Sequence, residues 1–509
     1  MHAIPPGSTV AVIGSGAMGA GIAQVAATAG HQVLLFDTRA DAADTAIAGI
    51  GKTYAKLVEK GRMGAVESDL ARERLKRIAS LHEAAGAVLV IEAIVENLDA
   101  KRFLFAELEG IVGQHCILAT NTSSISVTAI GAQLQHPERL VGMHFFNPVP
   151  LMALVEVISG LATDRDVANV VHATAESWGK SPVHAKSTPG FIVNRVARPY
   201  YAEALRLLLE QAADVATLDA VMRDCGGFRM GPFELMDLIG HDVNFSVTNS
   251  VFAAYYNDPR FTPSILQQEL VSAGFLGRKT GRGFYRYGDD VAKPAPQTEA
   301  PGQKPSALRH AGGIGAVDAI AERLRGAGFD PVAIEAAPGL YCEGAAIYLT
   351  DGRSATERAE ADGHRDTILF DLLLDPAGAT RIALARADQC GDAAWQAAVG
   401  LFQAAGFAVT RMDDVPGMAV MRTVAMLANE AADAVNQGVC SARAVDIAMQ
   451  KGVNYPRGPL AWADSMGLRQ VVTVLANLAA TYGEDRYRLS PLLRRKLAAD
   501  PQGARFHAR

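Results

Sequence analysis

The chain has 509 residues, which is too long for one hydrophobic core and predicts about three domains. Its 49% hydrophobic and 20% charged residues indicate a globular protein, and its formal net charge of −6 excludes a basic surface for nucleic acid or anionic lipid. Five scattered cysteines without a CxxC pair favour a reducing cytoplasm and indicate neither a disulfide framework nor a zinc site.

The amino terminus carries no predicted targeting segment. The first predicted strand begins near Thr9, which leaves no room for a signal peptide. No apolar run reaches the roughly 18 residues that a membrane span needs. We therefore expect a cytoplasmic protein that has no membrane partner.

A strand, a glycine turn and a helix are predicted at residues 10–24. Apolar residues 10–13 lead into the sequence Gly-Ser-Gly-Ala-Met-Gly. In such a turn Gly14 allows the reversal, Gly16 lets the backbone approach a pyrophosphate, and Gly19 lets the helix pack closely against the strand. The candidate dinucleotide contacts are Gly14, Gly16, Ala17, Met18 and Gly19. Glycines also end helices and occupy loops, so the glycine pattern alone does not establish a dinucleotide-binding turn. The sequence around the turn decides between a binding turn and an ordinary loop.

The next apolar run, residues 33–36, ends in Asp37, about 20 residues after the turn. A carboxylate there can accept hydrogen bonds from an adenosine ribose and would repel a 2′-phosphate, which favours NAD over NADP. The nearby Arg39 leaves NADP open. The helical and strand patterns continue to alternate, which predicts a doubly wound parallel sheet of the Rossmann type.

Polar side chains follow two later strands of this predicted sheet. Residues 88–91 are followed by Glu96 and then by Lys101 on the next helix. These charges form either a solvated helix start or the edge of the cofactor site. Residues 117–120 lead into four small polar residues that could cap a helix or contact a ligand. We expect Ser124 to be the cap and Ser123 to be the ligand contact.

Two further apolar runs, one with His144 and one with Glu156, flank a proline-rich turn. If the turn is centred near Pro150, the two side chains face each other across a hairpin. A carboxylate beside an imidazole fixes its tautomer and stabilises the imidazolium, which is how a general base is built. The alternative is a core histidine satisfied by a glutamate. The preceding dinucleotide-binding pattern favours the catalytic interpretation.

Long helices replace the alternating pattern after Pro189. Asn194 is a polar residue on an otherwise apolar helical face, where it makes either a buried hydrogen bond or a substrate contact. Residues 277–285 form a glycine-rich basic loop. One interpretation is that this loop merely ends a helix. The other is that it brings Lys279 to a phosphate or ribose of a bound ligand.

The back half repeats the helical region at an offset of 227 residues, which pairs Arg195 with Arg422 and Asp237 with Asp464. Met421 stands where the first copy has Asn194, so we expect a packing or pocket-closing module rather than a second active site. Between the copies we expect a linker and a degenerate α/β segment without a second dinucleotide site. The predicted domains are 1–187 (Rossmann), 188–288 (helical), 289–305 (linker), 306–413 (degenerate α/β) and 414–509 (second helical copy).

Five motifs together resemble the L-3-hydroxyacyl-CoA dehydrogenase family over about residues 7–287. They are the glycine turn at 14–19, Glu-Ala-Ile-Val-Glu-Asn at 92–97, Asn-Thr-Ser-Ser at 121–124, His-Phe-Phe-Asn-Pro-Val-Pro at 144–150 and Gly-Phe-Ile-Val-Asn-Arg at 190–195. The resemblance implies NAD-dependent oxidation of an (S)-3-hydroxyacyl-CoA to the 3-ketoacyl-CoA, as in β-oxidation, with no metal.

The resemblance also assigns roles to single residues. It implies that His144 is the general base and that Glu156 holds it. It places Ser123 and Asn194 at the reacting oxygen of the substrate. The positions that it implies for the NAD site are Asp37, Glu96, Lys101, Asn147 and Lys279, and those near the CoA are Thr53 and Lys60.

The two-part layout resembles the bacterial form of the family that acts on 3-hydroxyadipyl-CoA in phenylacetate catabolism. A short-chain 3-hydroxybutyryl-CoA dehydrogenase is the alternative within this class. From another class, an inactive NAD-binding structural or sensor protein is the alternative, against which the intact His144 and Glu156 pair argues. The resemblance implies a homodimer through the helical region, unless the second helical copy supplies that contact within one chain.

Overall fold

The computed structural model describes residues 2–507, which form two compact units. Unit 1 contains the chain up to Arg195 and the segment Gln437–Asn454, and unit 2 contains Val196–Asn436 and the chain from Tyr455 onward. Within the described range, no helix has the length and the apolar character that crossing a bilayer requires.

Unit 1 is built on an eight-stranded sheet. Its strands are β1 (Thr9–Ile13), β2 (Gln32–Phe36), β3 (Leu75–Arg77), β4 (Leu89–Glu92), β5 (Ile117–Thr120), β6 (Leu140–Phe145), β7 (Leu154–Ser159) and β8 (Ser181–Lys186). They lie in the order β3-β2-β1-β4-β5-β6-β7-β8, and neighbours are parallel except β6 and β7. The strand order reverses at β1, and open α/β sheets bind ligands at such a reversal.

The helices between β1 and residue 196 are α1 (Ala17–Thr28), α2 (Ala42–Glu59), α3 (Ala65–Glu73), α4 (Leu98–Ile111), α5 (Val127–Gly131), α6 (Arg165–Ser177) and α7 (Val193–Val196). Strand β1 is buried from Val10 to Ile13 without alternation. Uninterrupted burial is typical of a parallel strand that is covered on both faces. The doubly wound sheet predicted from the sequence is confirmed.

A second sheet, in unit 2, accounts for the predicted degenerate α/β segment. Its strands are β9 (Arg309–Ala311), β10 (Val332–Ala333), β11 (Gly339–Cys342), β12 (Ala345–Leu349), β13 (Thr367–Phe370), β14 (Arg381–Arg386) and β15 (Ala408–Arg411). Their order is β10-β9-β11-β12-β13-β14-β15. The last four strands repeat the pairing of β5 to β8, because only the middle pair of each set is antiparallel.

The remaining helices are α8 (Arg198–Leu209), α9 (Val215–Asp224), α10 (Pro232–Ile239), α11 (His241–Ala254), α12 (Ile265–Ser272), α13 (Gly315–Gly326), α14 (Ala355–Asp362), α15 (Asp392–Ala404), α16 (Val420–Asn436), α17 (Ala442–Gly452), α18 (Pro459–Met466), α19 (Leu468–Tyr482) and α20 (Pro491–Ala499). Helices α8 and α16, which the repeat relates, pack against each other within unit 2. The helical domain and its second copy predicted from the sequence are therefore present.

One helix of each copy packs on the sheet of the other half. Within unit 1, α17 of the second copy packs against β7 and β8, and within unit 2 the equivalent α9 packs against β14. The approach of α17 is close, because a Cβ atom on Gly452 would lie 2.6 Å from the Leu154 side chain. Packing of this kind depends on glycine at the contact.

Residues 289–305, predicted as a linker, contain neither a helix nor a strand. They are nevertheless held by hydrogen bonds within unit 2. The amide of Glu299 donates to the carbonyl of Val409 at 2.8 Å, and that of Gln303 to the carbonyl of Gln396 at 3.1 Å. The segment thus lies along β15 and α15 rather than acting as a free tether.

Candidate functional site

The glycine turn after β1 has the shape of a dinucleotide cradle. Gly14 has a φ of +104°, and its amide donates to the carbonyl of Phe36 at 2.8 Å. A Cβ atom on Gly14 would collide with the carbonyl of Ala93, and one on Gly19 would collide with the carbonyl of Gly14. A Cβ atom on Gly16 would meet open space, which is the side from which a pyrophosphate can approach.

Helix α1 begins at Ala17, directly after this turn, and Met18 lies in its first turn. In the part of the chain that the structure describes, no side chain caps this end and the first turn holds no acidic residue. Its amides are therefore directed at an approaching phosphate. A cavity of about 800 Å³ opens here, and Gly16, Thr53 and Asn147 line it. The turn, the helix end and the cavity fit NAD.

Asp37, the first residue after β2, adjoins the turn. Its Oδ2 atom accepts hydrogen bonds from the amide and the hydroxyl of Ser15, at 2.9 and 2.7 Å. The hydrogen bond from Arg39, at 3.1 Å, holds the pKa of Asp37 well below its usual range, and the Ser15 donors add to this effect. Asp37 is therefore an ionised acceptor that suits ribose hydroxyls.

Glu96 organises the loop after β5. Its Oε1 atom accepts hydrogen bonds from the Thr122 hydroxyl at 2.7 Å and from the amides of Ser123 and Ser124 at 2.9 and 3.0 Å. Burial acts to raise the pKa of Glu96, but the Thr122 hydrogen bond and the Lys101 ammonium outweigh it and lower the pKa to about 2. One carboxylate thus holds two backbone amides and one hydroxyl at the predicted cofactor edge.

Lys101 is buried rather than exposed to a cofactor. Its Nζ atom lies 2.6 Å from Glu92 and 3.2 Å from Glu96. Glu92, the last residue of β4, also accepts a hydrogen bond from the hydroxyl of Thr120 at 2.7 Å. Glu92 belongs to the predicted cofactor-edge motif at 92–97 but had no predicted role of its own, and here it holds Lys101. Lys101 acts through Glu96, whose second oxygen it holds.

The prediction that Ser124 caps the next helix is wrong. Helix α5 begins at Val127, and the hydroxyl of Ser126 accepts the amide of Ala129 as its N-cap. The Ser124 hydroxyl instead donates to Glu96 at 2.9 Å. Either Ser124 or Ser126 could serve as the N-cap of this helix. The cap depends on the residue at which the helix begins, and the sequence pattern does not fix that residue.

His144 and Glu156 face each other across the antiparallel pair β6 and β7, as direct partners in its register. The Nδ1 atom of His144 lies 2.7 Å from Oε2 of Glu156. Glu156 is fully buried, and His144 is 5% exposed. A buried carboxylate at Nδ1 holds the proton on that nitrogen, so the lone pair of the neutral ring lies on Nε2.

The other oxygen of Glu156 anchors the start of the following helix. Its Oε1 atom accepts the amides of Ile192 and Val193 at 3.1 and 2.9 Å. Next to them, the side-chain amide of Asn194 donates to the carbonyl of Ser123 at 3.4 Å. Unit 1 therefore brings Ser123, Asn194, His144 and Glu156 together at the edge of the sheet where β5 and β6 end and β7 begins.

Two predicted residues among those that the structure describes, Lys60 and Lys279, make no contact with this group within unit 1. Lys60 is the exposed residue after α2 and does not line the cavity beside α1. Lys279 belongs to unit 2, where its Nζ atom lies 2.7 Å from Oδ2 of Asp242.

The second sheet has a different pair where the first has His144 and Glu156. At the 227-residue offset their equivalents are Asp371, the residue after β13, and Ala383 on β14, and the amide of Asp371 donates to the carbonyl of Ala383 at 3.0 Å. Asp371 is fully buried and accepts the amides of Ala419, Val420 and Met421 at 2.7–2.9 Å. A carboxylate still holds the helix start, but no imidazole accompanies it at this position.

Comparison with known proteins assigns the two halves to one family description. Residues 9–188 match the NAD-binding domain of 3-hydroxyacyl-CoA dehydrogenase. Residues 190–287 and 417–506 match the C-terminal domain of the same family. Residues 347–416 match the reduced Rossmann-fold domain of 3-hydroxybutyryl-CoA dehydrogenase.

Individual relatives carry two different substrate names. The chain is 44% identical to 3-hydroxyadipyl-CoA dehydrogenase of Escherichia coli K12, over 96% of this chain and 97% of the relative. It is 42% identical to a probable 3-hydroxybutyryl-CoA dehydrogenase of Bacillus subtilis, over 55% of this chain and 96% of the relative. The crystal structure of a 3-hydroxybutyryl-CoA dehydrogenase from E. coli K12 superposes with a TM-score of 0.89 at 42% identity, covering 98% of this chain and 99% of that one.

Proposed function

Because this chain belongs to the 3-hydroxyacyl-CoA dehydrogenase family, whose members oxidise 3-hydroxyacyl-CoA with NAD, we propose that His144 is the general base of that reaction. The observation that carries the proposal is the 2.7 Å contact between Nδ1 of His144 and the buried Glu156. A carboxylate at Nδ1 orients the imidazole and stabilises the imidazolium that forms when the other ring nitrogen takes a proton.

The proton moves through the free nitrogen of this ring. Nε2 of His144 accepts the proton of the substrate's C3 hydroxyl, because Nδ1 is already protonated and held by Glu156. Bound NAD supplies the acceptor for the hydride that leaves C3. Glu156 then stabilises the imidazolium, and in the reverse direction His144 returns the proton to the forming alcohol.

We assign Ser123 and Asn194 to the substrate oxygen. The 3.4 Å hydrogen bond from the Asn194 amide to the Ser123 carbonyl keeps the two residues adjacent. Glu96 fixes the Ser123 backbone at 2.9 Å, so the position of the hydroxyl is set before the substrate binds. Pre-set donors of this kind reduce the entropic cost of reaching the reactive geometry.

The other ligand contacts are assigned by position. The glycine turn, Asp37 and Asn147 hold NAD, and Glu96 with Lys101 positions the loop beside it. Thr53, which lines the cavity beside α1, is assigned to the CoA on the family resemblance. Lys60 and Lys279 are assigned to CoA and NAD on the family resemblance alone.

We propose 3-hydroxyadipyl-CoA, an intermediate of phenylacetate degradation, as the substrate. The support is the E. coli relative of that name, whose similarity extends over nearly the whole of both chains. 3-Hydroxybutyryl-CoA is the second candidate, because other relatives carry that name.

The test is kcat/KM for (S)-3-hydroxyadipyl-CoA and (S)-3-hydroxybutyryl-CoA with NAD on one purified sample. Preference for the dicarboxylic substrate is expected. Equal or reversed preference would make the chain a short-chain dehydrogenase, and absence of NADH formation with either substrate would support an inactive NAD-binding protein.

We infer that the second helical copy replaces a homodimer contact. The support is the reciprocal packing of α17 on β7 and β8 and of α9 on β14, together with the pairing of α8 and α16. Sedimentation equilibrium is expected to give the mass of one chain, 53.8 kDa. A homodimer would require a further contact surface.

We also propose a cytoplasmic location. The five cysteines are free thiols, and four of them are buried. Proteins of oxidising compartments tend to pair such residues, whereas a reducing compartment leaves them as thiols. Fractionation of cells that express the native gene, followed by immunodetection, tests this location.

A further inference from the structure

A cavity within the helical part of unit 2 has charged and apolar walls. It has a volume of about 250 Å³ and lies between α8, residues 260–265 and Arg486. Leu205, Phe261 and Ile265 form its apolar wall. Its arginines are Arg198, Arg206, Arg260 and Arg486. We call this cavity the arginine pocket.

Buried donors without partners are concentrated in this pocket. Among the described residues, the Nε atoms of Arg198, Arg260 and Arg486 and the Oγ atom of Ser264 are buried and form no hydrogen bond. These arginines are only 6%, 4% and 8% exposed. Buried donors are almost always satisfied in folded proteins, so four unsatisfied ones around one cavity indicate a missing acceptor.

Three of the four arginines have carboxylate partners. Arg206 pairs with Glu484 at 2.9 Å, Arg260 pairs with Asp433 at 2.7 Å, and Arg486 lies 3.7 Å from Glu484. Their charges are therefore compensated in the folded chain. These three residues shape the pocket and supply donors, but they do not by themselves require an anion.

Arg198 is different. Its NH1 atom donates to the hydroxyl of Thr248 at 3.0 Å, and its guanidinium lies 4.9 Å from the ring centre of Tyr201. Within residues 2–507, no carboxylate lies within ion-pair distance of it. A buried charge without a counter-ion is costly, and such a group is retained where a ligand supplies the opposite charge.

We propose that the arginine pocket binds the carboxylate of a short aliphatic acid, with Arg198 as its counter-ion. The planar guanidinium forms paired hydrogen bonds with a carboxylate, and the apolar wall covers methylene groups, which inorganic anions lack. The volume suits a short chain rather than a nucleotide.

We assign the pocket to a free dicarboxylic acid, which binds independently of the dehydrogenase reaction. One of its carboxylates pairs with Arg198, and its methylene groups lie against the apolar wall.

Three variants test the role of Arg198. Arg198→Met removes the proposed counter-ion, and Arg198→Lys keeps the charge and is expected to retain part of the affinity. Arg494→Met, which removes an exposed arginine from α20, serves as the matched control and is expected to leave the affinity unchanged.

The assay titrates adipate into the wild-type protein and each variant by calorimetry. Arg198→Met is expected to weaken adipate binding by about 10- to 100-fold. If the wild type does not bind adipate, or if Arg198→Met binds it as tightly as the wild type, the proposal is overturned. Because adipate carries no CoA, the result is independent of the acyl substrate proposed above. Thermal melting checks folding, and Arg198→Met is expected to melt at or above the wild-type temperature because it removes an uncompensated charge.

Discussion

The Oε2 atom of Glu156 lies 2.7 Å from Nδ1 of His144, while Oε1 of the same carboxylate accepts two backbone amides at the start of α7. One side chain therefore orients the proposed base and fixes the helix that carries Asn194. The chemical and structural roles of Glu156 can be separated, because different substitutions remove one or both.

Glu156→Gln keeps the side-chain volume and an oxygen for the backbone amides but cannot stabilise an imidazolium. We expect kcat to fall by about 10²-fold or more while the affinity for NADH changes little. Steady-state kinetics and NADH fluorescence titration measure the two quantities. A parallel loss of NADH binding would show that the role of Glu156 is structural.

His144→Ala removes the proposed base itself. Turnover is expected to fall by about 10²–10⁴-fold, which is the range for a positioned general base. His172→Ala is a suitable control, because His172 lies on α6 and stacks on His184 at 4.5 Å, away from the proposed chemistry. Near-normal turnover in His144→Ala would refute the mechanism.

Glu96 predicts a specific pH dependence of stability. Its pKa of about 2 lies below its ordinary value, so its contribution to the free energy of unfolding is fully present above about pH 4.5 and is lost as the pH falls towards 2. Because its side chain is 35% exposed, we expect a contribution of only about 1–2 kcal/mol after solvent screening. Urea unfolding of wild type and Glu96→Gln from pH 7 to 3 measures it, and the difference between them should narrow below pH 4.5. A difference that is independent of pH would contradict this assignment.

Asp371→Ala tests whether the carboxylate that holds the helix start in the second half is purely structural. Loss of an acceptor for three backbone amides is expected to lower the free energy of unfolding by about 1–3 kcal/mol. The kcat of the folded variant is expected to match the wild type, in contrast to Glu156→Gln. A large fall in kcat at full folding would mean that the second sheet contributes to the reaction.

The sequence was sufficient to predict the pairing of His144 with Glu156. Both lie in apolar runs at equal distances from Pro150, and a hairpin turn then sets the register. The glycine turn was predictable for a similar reason, since its chemistry is local: Gly14 and Gly19 are required by backbone atoms that lie close to them.

Contacts between distant segments could not be predicted in this way. The pattern of α17 shows an apolar face but not that β7 and β8 cover it. The burial of Lys101 depends on Glu92, and the lack of a counter-ion at Arg198 is visible only when all its neighbours are known. The sequence shows which residues are charged, but the fold determines which charged side chains are buried and which form ion pairs.

The exchange of α9 and α17 between the halves makes each half incomplete without the other. A chain truncated before residue 437 would lack α17, so β7 and β8 would be uncovered and prone to aggregation. The back half is therefore needed to cover the sheet that carries His144, although Asp371 stands at the equivalent of His144 in its own sheet.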